Sequence, residues 1–196
     1  MIQRKYFFDS VRGSLFAGSL AQSQVDGLTA LLDYAEAHGV DDRHLAYVLA
    51  TAYHETAQTM QPIAEYGKGK GKPYGVPDPQ TGQTYYGRGY VQLTWKDNYQ
   101  KQDTKLGLKG TLVANADLAL EPETAKRILF AGMYDGDFTG VGLPKYIPCA
   151  NPETDATDFY NARKIVNGLD CATQIQGYAT KFANAIAHAA RPTVAA

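Results

Sequence analysis

Residues 42–58 constrain the fold more than any other stretch of this chain. Leu45, Val48, Leu49 and Ala52 recur at helical spacing, and Ala46, Tyr47, Ala50 and Tyr53 make the remaining faces nearly apolar too. A helix that is apolar nearly all round has no face to give to water, so it runs through the middle of a domain. Asp41 or Asp42 is placed to cap its start. Its last turn carries His54 and Glu55, two polar residues at the end of a buried rod.

Other segments supply the helices that surround it. Val25, Leu28, Leu31, Leu32 and Ala35 mark a helix over about 23–38, with Ser23 as cap and Gly39 as stop. Further helices are predicted over about 95–106, from Glu121-Pro122 to about Tyr134, over 153–166 after Asn151-Pro152, and over about 171–189. The last has Ile175, Tyr178, Ala179, Phe182 and Ile186 on one stripe. Between 60 and 90, seven glycines and four prolines forbid a long regular element, and a loop of that length in a small domain is more often functional than idle. Residues 90–95 read equally as a short strand or as the entry to the next helix. The expectation is one mostly α-helical domain, 1–196, with two lobes around a central cleft. Its first 40 or so residues pack on the core as a helical part, and nothing marks a separate binding module.

Composition removes several classes of function. Nineteen Lys and Arg against twenty Asp and Glu leave a net charge of −1, which argues against a chain that coats nucleic acid. Two cysteines, Cys149 and Cys171, make neither a disulfide scaffold nor a four-cysteine zinc site, and their pairing is left open. No apolar run approaches the roughly 18 residues of a membrane span, so no membrane insertion is expected. Tyr6–Phe8 is too short for a signal core and Asp9 interrupts it, so synthesis in a cytosol without a signal peptide is expected. Tyrosine is the odd residue, fourteen in all. Seven of them (Tyr53, Tyr66, Tyr74, Tyr85, Tyr86, Tyr90 and Tyr99) lie between 53 and 99, suggesting a cleft with aromatic walls and polar tips.

Two carboxyl groups give that window a chemistry. Glycoside hydrolysis needs one protonated carboxyl for the leaving oxygen and one ionised carboxylate to activate water or attack. Glu55 lies on the edge of a buried helix, where desolvation favours the acid form, and Glu65 lies in a Gly- and Lys-rich loop that reads as wetter. The plainer reading of both is a solvated glutamate. A zinc site is the other use of His54-Glu55, but it needs a second histidine one turn on, and position 58 is Gln. No metal and no cofactor is expected.

The segment Tyr85-Tyr86-Gly87-Arg88-Gly89-Tyr90-Val91-Gln92-Leu93-Thr94-Trp95, ending in Asn98-Tyr99, resembles the signature of glycoside hydrolase family 19, which holds chitinases and a branch of phage endolysins. His54-Glu55-Thr56 resembles the motif of the general acid, and Glu65 before Tyr66-Gly67 the position of the general base. Arg163-Lys164-Ile165-Val166-Asn167-Gly168 resembles a later segment whose Asn lines the cleft. The resemblance implies a lysozyme-like helical fold and an inverting reaction, with Glu55 as acid, Glu65 as base and Thr94 holding the water. Inversion calls for carboxyls roughly 6.5–9.5 Å apart. Gln92, Asn98 and Asn167 would contact substrate, as would Tyr86, with His54 in support. Arg88 would either pair structurally or tune a catalytic carboxylate. The chain departs from the pattern at Asp97, at Leu169 and in lacking most chitinase cysteines, and its acid-to-base spacing is short.

Those departures and the compact size look more like an endolysin than a secreted chitinase. The expected partner is the peptidoglycan glycan strand, cut at its β-1,4 bond by a monomeric muramidase. Such an enzyme acts on the wall from the periplasmic side after a separate holin has opened the membrane. Lys68 and Lys70, with Lys72, would attract that anionic polymer, or would merely solubilise a loop. A chitinase and a non-catalytic glycan-binding protein on the same fold are the alternatives.

Overall fold

The computed structural model describes residues 1–151 and 155–190. Helix α1 (Arg4–Ser14) leads to α2 (Gln22–Ala37) and to α3 (Asp42–Glu55). A two-stranded antiparallel ladder follows, β1 (Ile63–Ala64) pairing with β2 (Arg88–Gly89). Then come α4 (Lys96–Leu106), α5 (Thr111–Ala114), α6 (Pro122–Asp135), α7 (Leu143–Tyr146) and α8 (Ala172–Ala190). No described helix is long and apolar enough to cross a membrane.

Every residue of α3 from His44 to Tyr53 is buried. Asp41 caps the helix by accepting from the Arg43 amide at 2.8 Å. Helix α8 packs along α3, and α1 lies against α8. Phe182 of α8 stacks on Phe7 and meets Tyr53 edge-on, while the Tyr53 hydroxyl donates to the Leu15 carbonyl at 2.6 Å. Each large apolar side chain so buried contributes about 1.5–3 kcal/mol, which makes this three-helix seam the anchor of the fold.

Three sequence expectations change here. The α3 pattern extends to 58, but the helix ends at Glu55. The Thr56 hydroxyl turns back to the Ala52 carbonyl, and Ala57 and Gln58 take positive φ of 49° and 69°. Gly27 makes room for that turn, because a Cβ there would collide with the Met60 carbonyl. The cap of α2 is Ala21 rather than Ser23, with the Gln24 side chain accepting the Ala21 amide. The helix expected over 153–166 is not formed in its described part. Residues 152–154, including the Pro152 start signal, lie outside the described residues, and 155–160 are irregular. Asp158 then caps a single 3-10 turn, Asn161–Ile165, by accepting the amide and side chain of Asn161.

The stretch 90–95 is neither strand nor helix. It is a turn closed by paired bonds between Arg88 and Leu93, and α4 begins only at Lys96. Helix α1, which the sequence reading did not assign, buries only Phe7 and Val11 over its length.

Candidate active site

The position of Glu55 follows from α3. As the last residue of a buried helix it cannot move far, and its side chain is 16% exposed. The Arg163 guanidinium, 3% exposed, donates Nη1–H to Glu55 Oε1 at 2.7 Å and Nε–H to the Asp170 carbonyl at 2.9 Å. The purely apolar setting expected for Glu55 is therefore replaced by a buried cation on one carboxyl oxygen. The motif that holds Arg163 does not announce this task, because the two residues stand 108 positions apart.

Glu65 is built differently. It extends the β1–β2 ladder by one residue, its amide donating to the Gly87 carbonyl at 2.7 Å. The Gly87 amide returns to Glu65 Oε2 at 3.2 Å, and the Tyr74 hydroxyl donates to Oε1 at 3.4 Å. The residue is half-buried, not the solvent-bathed loop glutamate its neighbours suggested. Burial and the Glu65 charge together push the Tyr74 phenol up.

Gly87 joins Glu65 to the rest of the motif. A Cβ placed there would lie 2.9 Å from Gln92 Oε1 and 3.4 Å from Thr94 Oγ1. Gln92 spends its Nε2–H donors on the Ile63 and Gly89 carbonyls, at 3.1 and 3.2 Å, leaving Oε1 towards Gly87. Thr94 donates its hydroxyl proton to the Gln92 carbonyl at 2.8 Å, so its oxygen is left to accept. Asn98 donates Nδ2–H to the Thr94 carbonyl. Gln92 and Trp95 hold positive φ of 54° and 75°, conformations unusual for side chains of that size.

Gln92, Thr94 and Asn98 line a groove of about 390 Å³ with Tyr74, Trp95, Phe138, Val166 and Asn167. Asn167 is exposed at the end of the turn that carries Arg163, and its amide donates to the Arg163 carbonyl at 3.1 Å. The groove thus has one wall tied to Glu65 through Tyr74 and Gly87, and another tied to Glu55 through Arg163. Neither carboxylate is itself among the residues lining this groove. Phe138 was not singled out from sequence; Tyr74 was named only within the tyrosine cluster, and Trp95, Val166 and Arg163 only within motifs, with no role of their own. The positive φ of Trp95 and the return of Arg163 across the fold have no local signal to find.

Other candidates fall elsewhere. Tyr86 is buried with its ring 3.6 Å under the Arg88 guanidinium, so it is part of the packing rather than a surface for ligand. Arg88 pairs with Asp117 at 2.8 Å and donates to the Thr84 and Tyr86 carbonyls and to the Tyr99 hydroxyl. Of its two expected roles it takes the structural one, meeting neither Glu55 nor Glu65. His54 is half-buried in the last turn of α3. Lys68 and Lys70 are exposed, on a loop of successive tight turns after Glu65. The aromatic cleft is largely a core: Tyr53, Tyr85, Tyr86, Tyr90 and Tyr99 are buried, Tyr66 is 84% exposed, and only Tyr74 of the seven lines the groove. Cys149 and Cys171 are both free thiols.

No family model and no curated protein matches this chain. Solved structures do. Chitinase C from Streptomyces griseus HUT6037 is 23% identical, with a TM-score of 0.63 over 100% of this chain and 80% of that one. A chitinase C mutant is likewise 23% identical, at a TM-score of 0.50 over 98% and 94% of the two chains. A bacterial family 19 chitinase, 20% identical over 90% and 95%, has a TM-score of 0.41 and adds nothing to the comparison. At these identities the likeness concerns architecture alone, and the chain shares the mostly helical fold of chitinase C.

Proposed function

We propose that the chain is a glycoside hydrolase of the endolysin type, cleaving the β-1,4 bond of peptidoglycan glycan strands with inversion. One observation carries the hydrolase reading: two carboxylates, each fixed by its own partners, are linked through Arg163 on one side and Tyr74 and Gly87 on the other to the Gln92–Thr94–Asn98–Asn167 groove. Arg163 holds Glu55 Oε1, which leaves Oε2 to carry the proton for the glycosidic oxygen. Glu65 takes a proton from water as that water attacks the anomeric carbon from the opposite face, and the bond to the leaving oxygen breaks. Thr94 Oγ1 accepts a hydrogen of the same water, and the amides orient the sugar.

The preference for peptidoglycan rests on charge. Lys68, Lys70 and Lys72 stand on the loop beside Glu65, and none of them pairs with a carboxylate among the described residues. Three unneutralised cations next to the base suit a polymer bearing lactyl and peptide carboxylates. In this reading the enzyme works as a monomer at the wall, reaching it through a separate pore-forming protein. The second reading is a chitinase, favoured by the solved chitinases that share the fold.

Reducing-end release from peptidoglycan and from chitin, followed by mass spectrometry of the products, tests both. New N-acetylmuramic acid ends support the muramidase, and activity on chitin alone overturns it. Glu55→Gln and Glu65→Gln are each expected to lower turnover by about 10²- to 10⁴-fold. Persistent lysis by both variants would remove the catalytic assignment.

A further inference from the structure

The residues around Glu65 carry a second layer of organisation. Tyr74 reaches Glu65 Oε1, and its own backbone is tied to the motif, its carbonyl accepting the Tyr85 amide at 3.0 Å while the Tyr85 carbonyl accepts the Trp95 amide at 2.9 Å. The Tyr74 ring meets the Trp95 indole edge-on, 5.2 Å between centroids at 81°. From the other side it is set by two glycines. A Cβ on Gly75 would collide with the Gly69 carbonyl, and one on Gly69, at φ 70°, would lie 2.6 Å from Gly75 Cα. This backbone crossing closes the lysine loop onto Tyr74, and no side chain fits at either crossing point.

We propose that Tyr74 is a positioning residue for Glu65, and that the Gly69–Gly75 clasp couples it to the lysine loop. The inference rests on the reading of Glu65 as base and adds how that base is aimed. At 3.4 Å the phenol–carboxylate bond is longer than an ordinary O–H···O bond, and it has room to shorten when substrate draws the loop inward. An anionic strand held by Lys68, Lys70 or Lys72 pulls on the segment that ends in Tyr74. Substrate charge is thereby felt at the base without any lysine touching it.

The test uses Tyr74→Phe and Gly75→Ala in the full chain, on whichever of soluble peptidoglycan strands or an N-acetylglucosamine hexamer the parent cleaves. Trp95 is the only tryptophan, so its emission reports on the Tyr74 contact. Tyr74→Phe is expected to lower kcat about 10- to 100-fold with KM, melting temperature and emission unchanged, since the ring stays and only the donor goes. Gly75→Ala is expected to lower kcat similarly and to shift the emission. A kcat for Tyr74→Phe within about twofold of the parent, or a loss confined to KM, overturns the positioning role. A parent-like kcat in Gly75→Ala overturns the clasp. Full activity of Glu65→Gln would instead strike the underlying reading of the base, separately from either variant.

Discussion

Tied to one wall of the groove through Arg163, Glu55 ends a helix that is buried from His44 to Tyr53, and that buried arginine fixes its carboxyl. On the other, Glu65 extends a two-residue strand and is held by a backbone amide and a phenol. The helical wall is rigid because apolar packing surrounds it. The loop wall is held by hydrogen bonds and glycine crossings, which cost less to distort. A glycosidase with an acid that must stay put and a base that must accommodate both water and sugar has a use for that asymmetry.

The difference breaks most sharply at Arg163. Arg163→Ala leaves Glu55 half-buried without its cation and should destabilise the fold by about 3 kcal/mol while lowering turnover more than tenfold, read by denaturant unfolding alongside kinetics. A stable, fully active variant would show that the helical wall does not depend on the pair.

Gly87→Ala probes the opposite wall. Its Cβ must displace Gln92 Oε1, so about a tenfold loss of kcat/KM is expected, with a stability cost of about 1–3 kcal/mol. Activity lost without comparable unfolding would locate the effect in site geometry.

Replacing Lys68, Lys70 and Lys72 together by Gln should slow peptidoglycan cleavage about 3- to 10-fold at low ionic strength. The deficit should fade at high salt, where surface charges are screened, and should be absent on neutral chitin oligomers. Equal losses on both polymers would point to loop structure rather than charge.

Acid separates the walls by a smaller effect. Burial lowers the pKa of His44 on α3, so below its ordinary 6.5 the unfolded chain takes up a proton that the native chain resists. That contribution is complete above pH 6.5 and is lost as pH falls from there towards the native value. On the loop wall, Lys96 and the turn amides hold Asp78 down to about 2 from 3.8, so its fastening persists through pH 4 and is lost only between about 4 and 2. Melting temperature against pH should therefore lose its slope just below 6.5 in His44→Asn, and its slope below 4 in Lys96→Met. Identical profiles in both variants would contradict the assignment.

The helical wall was legible because α3 writes its burial into a repeat of 3.6 residues, and Glu55 is simply where that repeat meets polar sequence. The end of α3 was less so, since Thr56 competes for the backbone and Ala57 and Gln58 turn left-handed without a glycine to announce it. Glu65, Gln92, Thr94, Asn98 and Asn167 were found through a motif, yet nothing local told which amide protons were already spent. The tyrosines were misread as a cleft because a phenol that reaches a carbonyl, as Tyr53 does at Leu15, is as content in a core as at a surface. For Arg88 the sequence leaves an ion pair and a tuning role both open, and Asp117 with the Thr84 and Tyr86 carbonyls decides for the ion pair.

By itself the sequence determined a mostly helical domain with a buried central helix, a glycine-rich loop too long to be idle, and one carboxyl at the end of the helix and another near the start of the loop. Those follow from local periodicity and backbone sterics. Only the tertiary structure decided that Arg163 meets Glu55, that Gly87 bonds Glu65 where a Cβ would crowd Gln92 and Thr94, and that Gly69 crosses Gly75 in the lysine loop. Such pairings depend on segments far apart in the chain being brought within a few ångströms, and packing, not local preference, sets where they meet.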